Sequence, residues 1–433
     1  MSIDFDSIKH AHFIGIGGIG ISAIARMMLL GGKEVSGSDV SRSVITDELE
    51  KLGAHIVIGH QEKNINEDID MVIYTTAVPE DNSEFIQARM LKIQTYTYPQ
   101  ILGALSQKYR TIAVSGTHGK TTTTAMLAKI FIDANRDPTV IVGSLLKEHH
   151  SNFIAGKGSD LIIEACEYRR SFLSLNPHIL IITNIDSDHL DYYKDLEDIQ
   201  GAFHELAGKV LEDGYIVCNP NDPTVAPVIG DVKARIIDYT TVKNNFSLTV
   251  LGRHNIANAQ AALSVAITAN ITMDIAVRAL EAFKGTWRRC EYKGKMTTGA
   301  LLYDDYAHHP TEIRATLQGL RERFPKNELI VVFQPHLFSR TKLFLKEFAK
   351  SFKEADEVIV VPIYAAREQN DTSINSEMLA SEIKKVGTDA CMMEDAVVND
   401  YLLSNTDIDT VVVIMGAGDI YEIGEKLIEG IMR

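Results

Sequence analysis

The sequence predicts an α/β protein built from three consecutive units, and three observations carry that expectation. The chain has 433 residues, which at roughly 150 residues per domain makes about three domains. Short, almost wholly apolar runs of β character alternate with amphipathic helical stretches from one end to the other. Two glycine loops stand where such a run passes into a helix.

In chain order the clearest runs are His12–Ile16, Met71–Tyr74, Thr111–Ser115, Asp160–Glu164, Ile179–Thr183, Leu329–Phe333, Glu357–Val361 and Thr410–Met415. A strand apolar along its whole length is buried on both faces, which is the pattern of a parallel sheet covered by helices. The α/β pattern restarts twice. One restart follows Gln107-Lys108-Tyr109-Arg110. The other follows the charged stretch Arg288–Lys295, with Gly294 in it, before a strand beginning near Ala300. The expected domains are therefore residues 1–107, 108–295 and 296–433. No internal repeat, low-complexity tract or Pro/Ser-rich linker interrupts them.

Composition narrows the function. Apolar residues make up 45% and charged residues 23%, the balance of an ordinary soluble protein. The 43 basic and 58 acidic residues leave a net charge of -15. That argues against nucleic acid or an anionic membrane as the main partner, since both reward excess Lys and Arg. A phosphate ligand held by backbone N–H groups, one Lys and a metal remains compatible with it. The four cysteines, Cys166, Cys218, Cys290 and Cys391, form no C-x-x-C pair and read as reduced thiols. Between Phe13 and Gly32 the sole charge is Arg26, but Asp4 and Asp6 precede this stretch and Gly15, Gly17, Gly18 and Gly20 lie in it. A signal peptide would start basic, and a strand, a glycine turn and a buried helix fit better. A cytoplasmic location is expected.

Gly15-Ile-Gly17-Gly18-Ile-Gly20 satisfies G-x-G-x-x-G directly after a strand. Glycines there permit a tight turn and close approach of backbone to a diphosphate at the helix N-terminus. Ser38 and Asp39 end the next strand, and that acid would accept hydrogen bonds from a ribose, as in Rossmann-like domains. NAD, FAD and a UDP-sugar all present a diphosphate beside a ribose, so the loop alone does not choose, and taken alone it favours a dehydrogenase.

The second loop, Ser115-Gly116-Thr117-His118-Gly119-Lys120-Thr121-Thr122, follows the strand Thr111–Ser115 and opens a helix. The strict P-loop pattern has Gly where Val114 stands; the remainder is intact. Successive N–H groups can cradle phosphate oxygens, Lys120 can reach the β and γ phosphates, and the Thr121 hydroxyl can join a Mg2+ shell. A nucleoside triphosphate site in the second unit changes the reading of the first. A dehydrogenase has no use for ATP, whereas a ligase that activates one substrate with ATP and holds a nucleotide-linked substrate elsewhere uses both loops. Glu164 ends its strand, and Asp186-Ser-Asp188-His189-Leu-Asp191 follows another. Ligand sites of α/β sheets lie at the carboxyl ends of strands, so Lys120, Glu164 and His189 could converge around Mg2+ or Mn2+ beside phosphates.

With these residues in place the chain resembles the Mur ligases, and within them the alanine-adding branch. The resemblance spans essentially the whole sequence. It rests on the ordered set His12-Phe-Ile-Gly-Ile-Gly-Gly18, Gly116-Thr-His-Gly-Lys-Thr121, Asn184-Ile-Asp-Ser-Asp-His189-Leu-Asp191, Gly252-Arg-His254-Asn255-Ile-Ala-Asn258, Arg288-Arg289-Cys290-Glu291, Asp304-Asp305-Tyr306-Ala-His308-His309-Pro310, Gln334-Pro-His336-Leu-Phe-Ser-Arg340-Thr341 and Gly416-Ala-Gly418-Asp419.

The resemblance implies a Rossmann-like first domain, a P-loop ATPase-like central domain with a mostly parallel sheet, and a Rossmann-like third domain. It implies the substrates UDP-N-acetylmuramate, L-alanine and ATP, with Mg2+ or Mn2+, in peptidoglycan precursor synthesis. Gly15, Gly17, Gly18, Gly20, Ser38 and Asp39 would hold the UDP, with Thr75 and Thr76 near it, and Asn184 also on the substrate side. Gly116, Thr117, His118, Gly119, Lys120, Thr121 and Thr122 would hold the ATP phosphates. His254, Asn255 and Asn258 would position the nucleotide, Arg289 would reach the γ phosphate and Asp305 the ribose. Thr121, Glu164 and His189 would serve the metal, and Tyr306, His308, His336 and Arg340 would surround the alanine and the acyl group. Lys120, His189, Arg289, His308 and Arg340 are the candidate catalytic residues.

The chain departs from many relatives at Glu164-Ala-Cys166-Glu167-Tyr168-Arg169, at Cys290 and at Leu337. His204 falls where several relatives carry a carbamylated Lys, so no such modification is expected. The competing readings are a ligase that recycles a preformed murein peptide, a folylpolyglutamate-type ligase, an NAD-dependent oxidoreductase, and a nucleotide-binding module without catalysis.

Overall fold

The computed structural model describes residues 3–75, 77–243, 245–366 and 368–429. Eighteen strands form three sheets among them. The first contains β1 (His10–Ile14), β2 (Glu34–Asp39), β3 (His55–Ile58), β4 (Met71–Tyr74) and β5 (Gln94–Thr97), in the order β3-β2-β1-β4-β5. All its pairings are parallel. The second contains β6 (Arg110–Ser115), β7 (Thr139–Leu146), β8 (Ser151–Ile154), β9 (Asp160–Glu164), β10 (Ile179–Ile182), β11 (Tyr215–Cys218) and β12 (Arg235–Asp238), in the order β12-β11-β10-β6-β9-β7-β8. The third contains β13 (Glu291–Lys295), β14 (Leu301–Asp305), β15 (Glu328–Phe333), β16 (Glu357–Val360), β17 (Asp389–Met392) and β18 (Thr410–Met415), in the order β13-β14-β18-β15-β16-β17.

Each of the last two sheets carries one antiparallel pair at an edge, β7 with β8 and β13 with β14. Because β13 belongs to the third sheet, that sheet starts upstream of residue 296. The central strands are buried throughout, as their apolar runs predict. Ile112, Ala113, Val114 and all of Ile179–Ile182 are almost wholly inaccessible. At about 25 cal/mol per Å2 of apolar surface, such strands supply the main drive for folding. Three of the expected strands, β1, β10 and β16, end earlier than expected, β16 at Val360. β1 stops at Ile14 rather than Ile16, because Gly15 turns to φ +78 and the N–H groups of Gly15 and Ile16 both donate to the Ser38 carbonyl. β10 likewise stops before Thr183.

The chain divides into two compact units. The first takes the residues up to Asp186 together with Leu196–Asn245 and Asn258–Leu280; the second takes Ser187–Asp195, Phe246–Ala257 and the residues from Glu281 on. The first unit holds the first two sheets. Within it, Asn152 of β8 is fully buried and donates to the Ile19 carbonyl and to Ser22 Oγ at 2.9 Å. This ties the edge of the second sheet to the helix Ile19–Leu30 that follows the first glycine loop. No described helix is long and apolar enough to cross a membrane.

Candidate active site

In the first sheet the strand order reverses between β1 and β4, so a crevice opens at their carboxyl ends. The first glycine loop lies there, with Gly18 at the N-cap of the helix Ile19–Leu30. The Gly17 N–H donates to Asp39 Oδ2 at 2.8 Å. A Cβ on Gly17 would lie 2.9 Å from that oxygen, and one on Gly15 would lie 3.1 Å from Thr75 Cγ2. No acid occupies the first turn of the helix, which leaves its positive end available to an anion.

Ser38 is fully buried, and its hydroxyl donates to Glu84 Oε2 at 2.5 Å, with His60 Nδ1 2.8 Å away. Glu84 also accepts from Asn64 Nδ2 at 2.5 Å, and His12 Nε2 lies 3.8 Å from it. Burial would raise the Glu84 pKa, but nearby His12 and the hydrogen bonds from Ser38 and Asn64 outweigh it and lower it to about 2.

The P-loop follows β6, whose neighbours are β10 and β9. This order sets the loop's surroundings, since the residues ending β9 and following β10 must flank it. From the β10 side, Asn184 Oδ1 accepts from the His118 N–H at 2.9 Å and its Nδ2 donates to the His118 carbonyl at 3.0 Å. Thr183 Oγ1 donates to the same carbonyl at 2.6 Å. From the β9 side, Glu164 Oε1 accepts from Thr121 Oγ1 at 3.0 Å and its Oε2 from the Gly143 N–H at 2.7 Å.

Glycine is required at two P-loop positions. Gly119 caps the helix Lys120–Asp133 at φ +82, and a Cβ there would lie 2.5 Å from Asn258 Oδ1. Gly116 sits at φ +131, where a Cβ would run into Thr183 Oγ1. Lys120 Nζ donates to the carbonyls of Gly116 and Thr117 and to Glu167. Burial would lower its pKa, but the charges of Glu167, Cys166 and Glu164 raise it above the usual lysine value, so the side chain is a cation.

In the second unit the loops after β14, β18 and β15 meet, because these strands are neighbours. Asp305, at the end of β14, accepts from the Ala307 N–H at 3.0 Å and from Thr316 Oγ1 at 2.5 Å. Its burial pushes its pKa up to about 6. Arg289 lies over the Tyr306 ring at 5.1 Å. His308 Nδ1 lies 3.0 Å from the Tyr306 carbonyl, and its ring meets that of His336 edge-on at 5.7 Å. Burial pushes the His308 pKa down to about 4, with Arg340 acting in the same direction against Glu312.

Arg340 is buried. It donates to Asp188 Oδ1 at 2.7 Å, and its other terminal nitrogen lies 3.3 Å from His336 Nδ1. Burial would raise the Asp188 pKa, but His189, Arg340, His308 and His309 hold it well below the usual carboxylate range. His189 follows at φ +53. Asn255 Nδ2 donates to the Leu251 carbonyl at 2.7 Å, and the His254 ring covers Gly252, where a Cβ would lie 2.4 Å from its Cε1.

Three family descriptions match in succession: "Mur ligase family, catalytic domain" over residues 10–110, "Mur ligase middle domain" over 114–245 and "Mur ligase, glutamate ligase domain" over 288–418. A protein of Clostridium kluyveri called UDP-N-acetylmuramate–L-alanine ligase is 42% identical, covering 98% of this chain and 99% of its own length. The chain belongs to the Mur ligase family. A like-named protein of Clostridium acetobutylicum is 41% identical to this Mur ligase over 99% of the chain and all of its own length. The solved UDP-N-acetylmuramate–alanine ligase of Thermotoga maritima superposes on it with a TM-score of 0.83 at 30% identity, covering 98% of this chain and 99% of that one. A murein peptide ligase of Psychrobacter arcticus shares the fold, with a TM-score of 0.72 at 23% identity over 97% and 98% of the two chains.

In this Mur ligase the first unit brings together Gly15, Gly17, Ser38, Asp39 and Thr75, and separately Gly116–Thr122 with Glu164, Asn184 and Asn258. Asn184, expected on the substrate side, braces the P-loop. Thr76 lies outside the described residues. His204 is placed with Nδ1 2.9 Å from the Val228 carbonyl.

Four residues escaped the sequence reading. Glu84 orients Ser38, and Glu167 binds Lys120. Tyr98 packs on the first glycine loop, its ring 3.0 Å from where a Gly20 Cβ would be. Arg288, buried at φ +56, donates to the carbonyls of Gly416 at 2.5 Å and Gly418 at 2.9 Å. Arg288 had a signal, since it stands in the arginine pair. Glu84 and Tyr98 had none, because their partners are distant in sequence.

Proposed function

We propose that this Mur ligase joins the amine of L-alanine to the lactyl carboxylate of UDP-N-acetylmuramate, converting ATP to ADP and phosphate, as a step of peptidoglycan precursor synthesis in the cytoplasm. The observation that carries the reading is the match along almost the whole chain, at 41–42% identity, to proteins named for that reaction. The geometry supports it with two glycine loops whose form suits a phosphate, each at a reversal of strand order, in one compact unit. A dehydrogenase reading leaves the second loop without purpose.

Residues 1–107 would hold the sugar nucleotide through Gly15, Gly17, Gly18, Gly20, Ser38, Asp39, Thr75 and Thr76. Residues 108–295 would hold ATP through Gly116–Thr122, His254, Asn255, Asn258 and Arg289. Residues 296–433 would supply Asp305 to the nucleotide and Tyr306, His308, His336 and Arg340 to the alanine.

Thr121 Oγ1 and Glu164 Oε1, 3.0 Å apart, fit a hard divalent cation, which takes oxygen ligands. The donors are compactly held, since a Cβ on Gly143 would lie 2.8 Å from both Glu164 oxygens. Thr121, Glu164 and His189 would hold Mg2+, or Mn2+ in its place, which when bound neutralises charge on the phosphates.

The carboxylate attacks the γ phosphate in line, and an acyl phosphate forms as ADP leaves. Lys120 and Arg289 stabilise the charge that moves onto ADP. The alanine amine then attacks the acyl carbon and phosphate departs. Arg340, already oriented by Asp188, suits the alanine carboxylate, and a neutral His308 is able to accept the amine proton. Phosphate release from ATP and UDP-N-acetylmuramate, with free L-alanine in one reaction and a tripeptide in another, tests the reading. Release with L-alanine supports it. Release with the tripeptide alone would assign the chain to peptide recycling instead.

A further inference from the structure

Glu167 stands three residues beyond Glu164, and the reaction as written uses it nowhere. Its side chain is only 3% exposed, and its Oε1 and Oε2 lie 3.0 and 2.9 Å from Lys120 Nζ. The same ammonium donates to the Gly116 carbonyl at 2.6 Å and the Thr117 carbonyl at 2.9 Å. A lysine ammonium has three N–H donors, and these three partners take all of them. Lys120 is thus folded back onto the loop it would serve, and a phosphate oxygen gains an N–H from it only when one of these bonds opens. The two carbonyls are part of the loop's own turn. Glu167 is the partner that comes from outside the loop, from the segment after β9, and carries charge.

Its placement is fixed by the surrounding backbone. The Ala165 N–H donates to the Val114 carbonyl at 2.8 Å, and Ser115 Oγ donates to the Ala165 carbonyl at 3.0 Å. Both bonds pin the segment to β6, directly before the P-loop. Beyond Glu167 the chain turns through Arg169 and Arg170, at φ 50 and 55. Two consecutive non-glycine residues in the left-handed region are uncommon and are held by their surroundings. The Arg170 N–H closes this turn on the Glu167 carbonyl at 2.9 Å, and the Phe172 N–H on that of Cys166 at 3.0 Å.

We propose that Glu167 is a positioning residue for Lys120: it holds the ammonium between turnovers, yields it to the nucleotide phosphates, and takes it back as product leaves. The inference rests on the reading of the P-loop as the ATP site. A buried carboxylate so close to Lys120 also faces the phosphates that Lys120 binds, and like charges at short range in a buried site repel strongly. Removing its charge therefore tightens nucleotide binding and slows nucleotide release.

The test compares wild type with Glu167→Gln and Glu167→Asp, using calorimetric titration with ADP in the presence of Mg2+ and steady-state ligation. Glu167→Gln is expected to bind ADP about tenfold more tightly, with the KM for ATP and kcat both reduced. Glu167→Asp draws the carboxylate back by one methylene and is expected to fall between the two, which carries the test even where the amide is not tolerated. Structural damage would instead weaken ADP binding. Unchanged or weaker binding in both variants overturns the inference, as does a raised Mg2+ requirement, which would make Glu167 a metal ligand. Wild type that binds no ADP overturns the ATP-site reading itself.

Discussion

Replacing Glu84 with glutamine leaves the shape of the first domain's buried polar cluster and removes its charge. The structure sets the size of the effect. The Glu84 pKa is lowered from 4.5 to about 2 in the folded chain, and each pH unit of displacement corresponds to about 1.4 kcal/mol. A folded-state pKa below the unfolded value gives stability that is complete above pH 4.5 and is lost as pH falls towards 2. By that linkage the charge contributes about 3 kcal/mol at pH 7 and less than half of that at pH 3. Urea denaturation of wild type and Glu84→Gln across this range is expected to show a difference that shrinks by more than half on acidification. Because Ser38 loses its charged partner, the KM for UDP-N-acetylmuramate is expected to rise while that for ATP does not. A stability difference equal at pH 3 and pH 7 would show that the charge of Glu84 is not what the cluster stabilises, and would refute the reasoning.

Three further outcomes follow from the geometry. Gly119→Ala forces a Cβ into the left-handed region at roughly 1–2 kcal/mol and against Asn258, so ADP titration is expected to show at least about tenfold weaker binding; wild-type affinity would contradict this. Lys120→Ala is expected to abolish ligation while leaving UDP-N-acetylmuramate binding measurable by calorimetry, and retained ligation would sink the assignment. His308 has its pKa lowered from 6.5 to about 4, so its neutral form persists through pH 5, and kcat/KM for L-alanine is expected to show no His308-dependent inflection near 6.5. Since the unfolded chain takes up that proton first, the buried ring also makes stability fall as pH drops from 6.5 towards 4. An inflection near 6.5 that disappears in His308→Gln would overturn this placement of the proton.

Much of the architecture was legible because it is local. A fully apolar run of five residues between amphipathic stretches has few alternatives to a buried parallel strand. A glycine loop between strand and helix is readable from the sequence itself, and both loops stand at such junctions. The neighbours of β6 were not legible, yet they explain why Glu164 and Asn184 flank the P-loop. Strand order depends on which apolar surfaces pair across the chain, and periodicity carries no record of that. Glu84 shows the same limit at one residue. Asn82 caps its helix, so an acid in the first turn already has a local explanation, and nothing nearby reveals that it is buried against Ser38, 46 residues away in sequence. Antiparallel β8 and β13 were missed because short, half-polar edge strands lack the apolar run that marks the interior ones.

The most direct measurement follows an oxygen atom. UDP-N-acetylmuramate labelled with 18O in its lactyl carboxylate, incubated with ATP, Mg2+ and L-alanine, passes through an acyl phosphate if the account is right. Mass spectrometry then finds one 18O in the released phosphate, in step with formation of the alanyl product. Phosphate free of label, or label transfer that occurs without product, would contradict ligation through carboxylate activation.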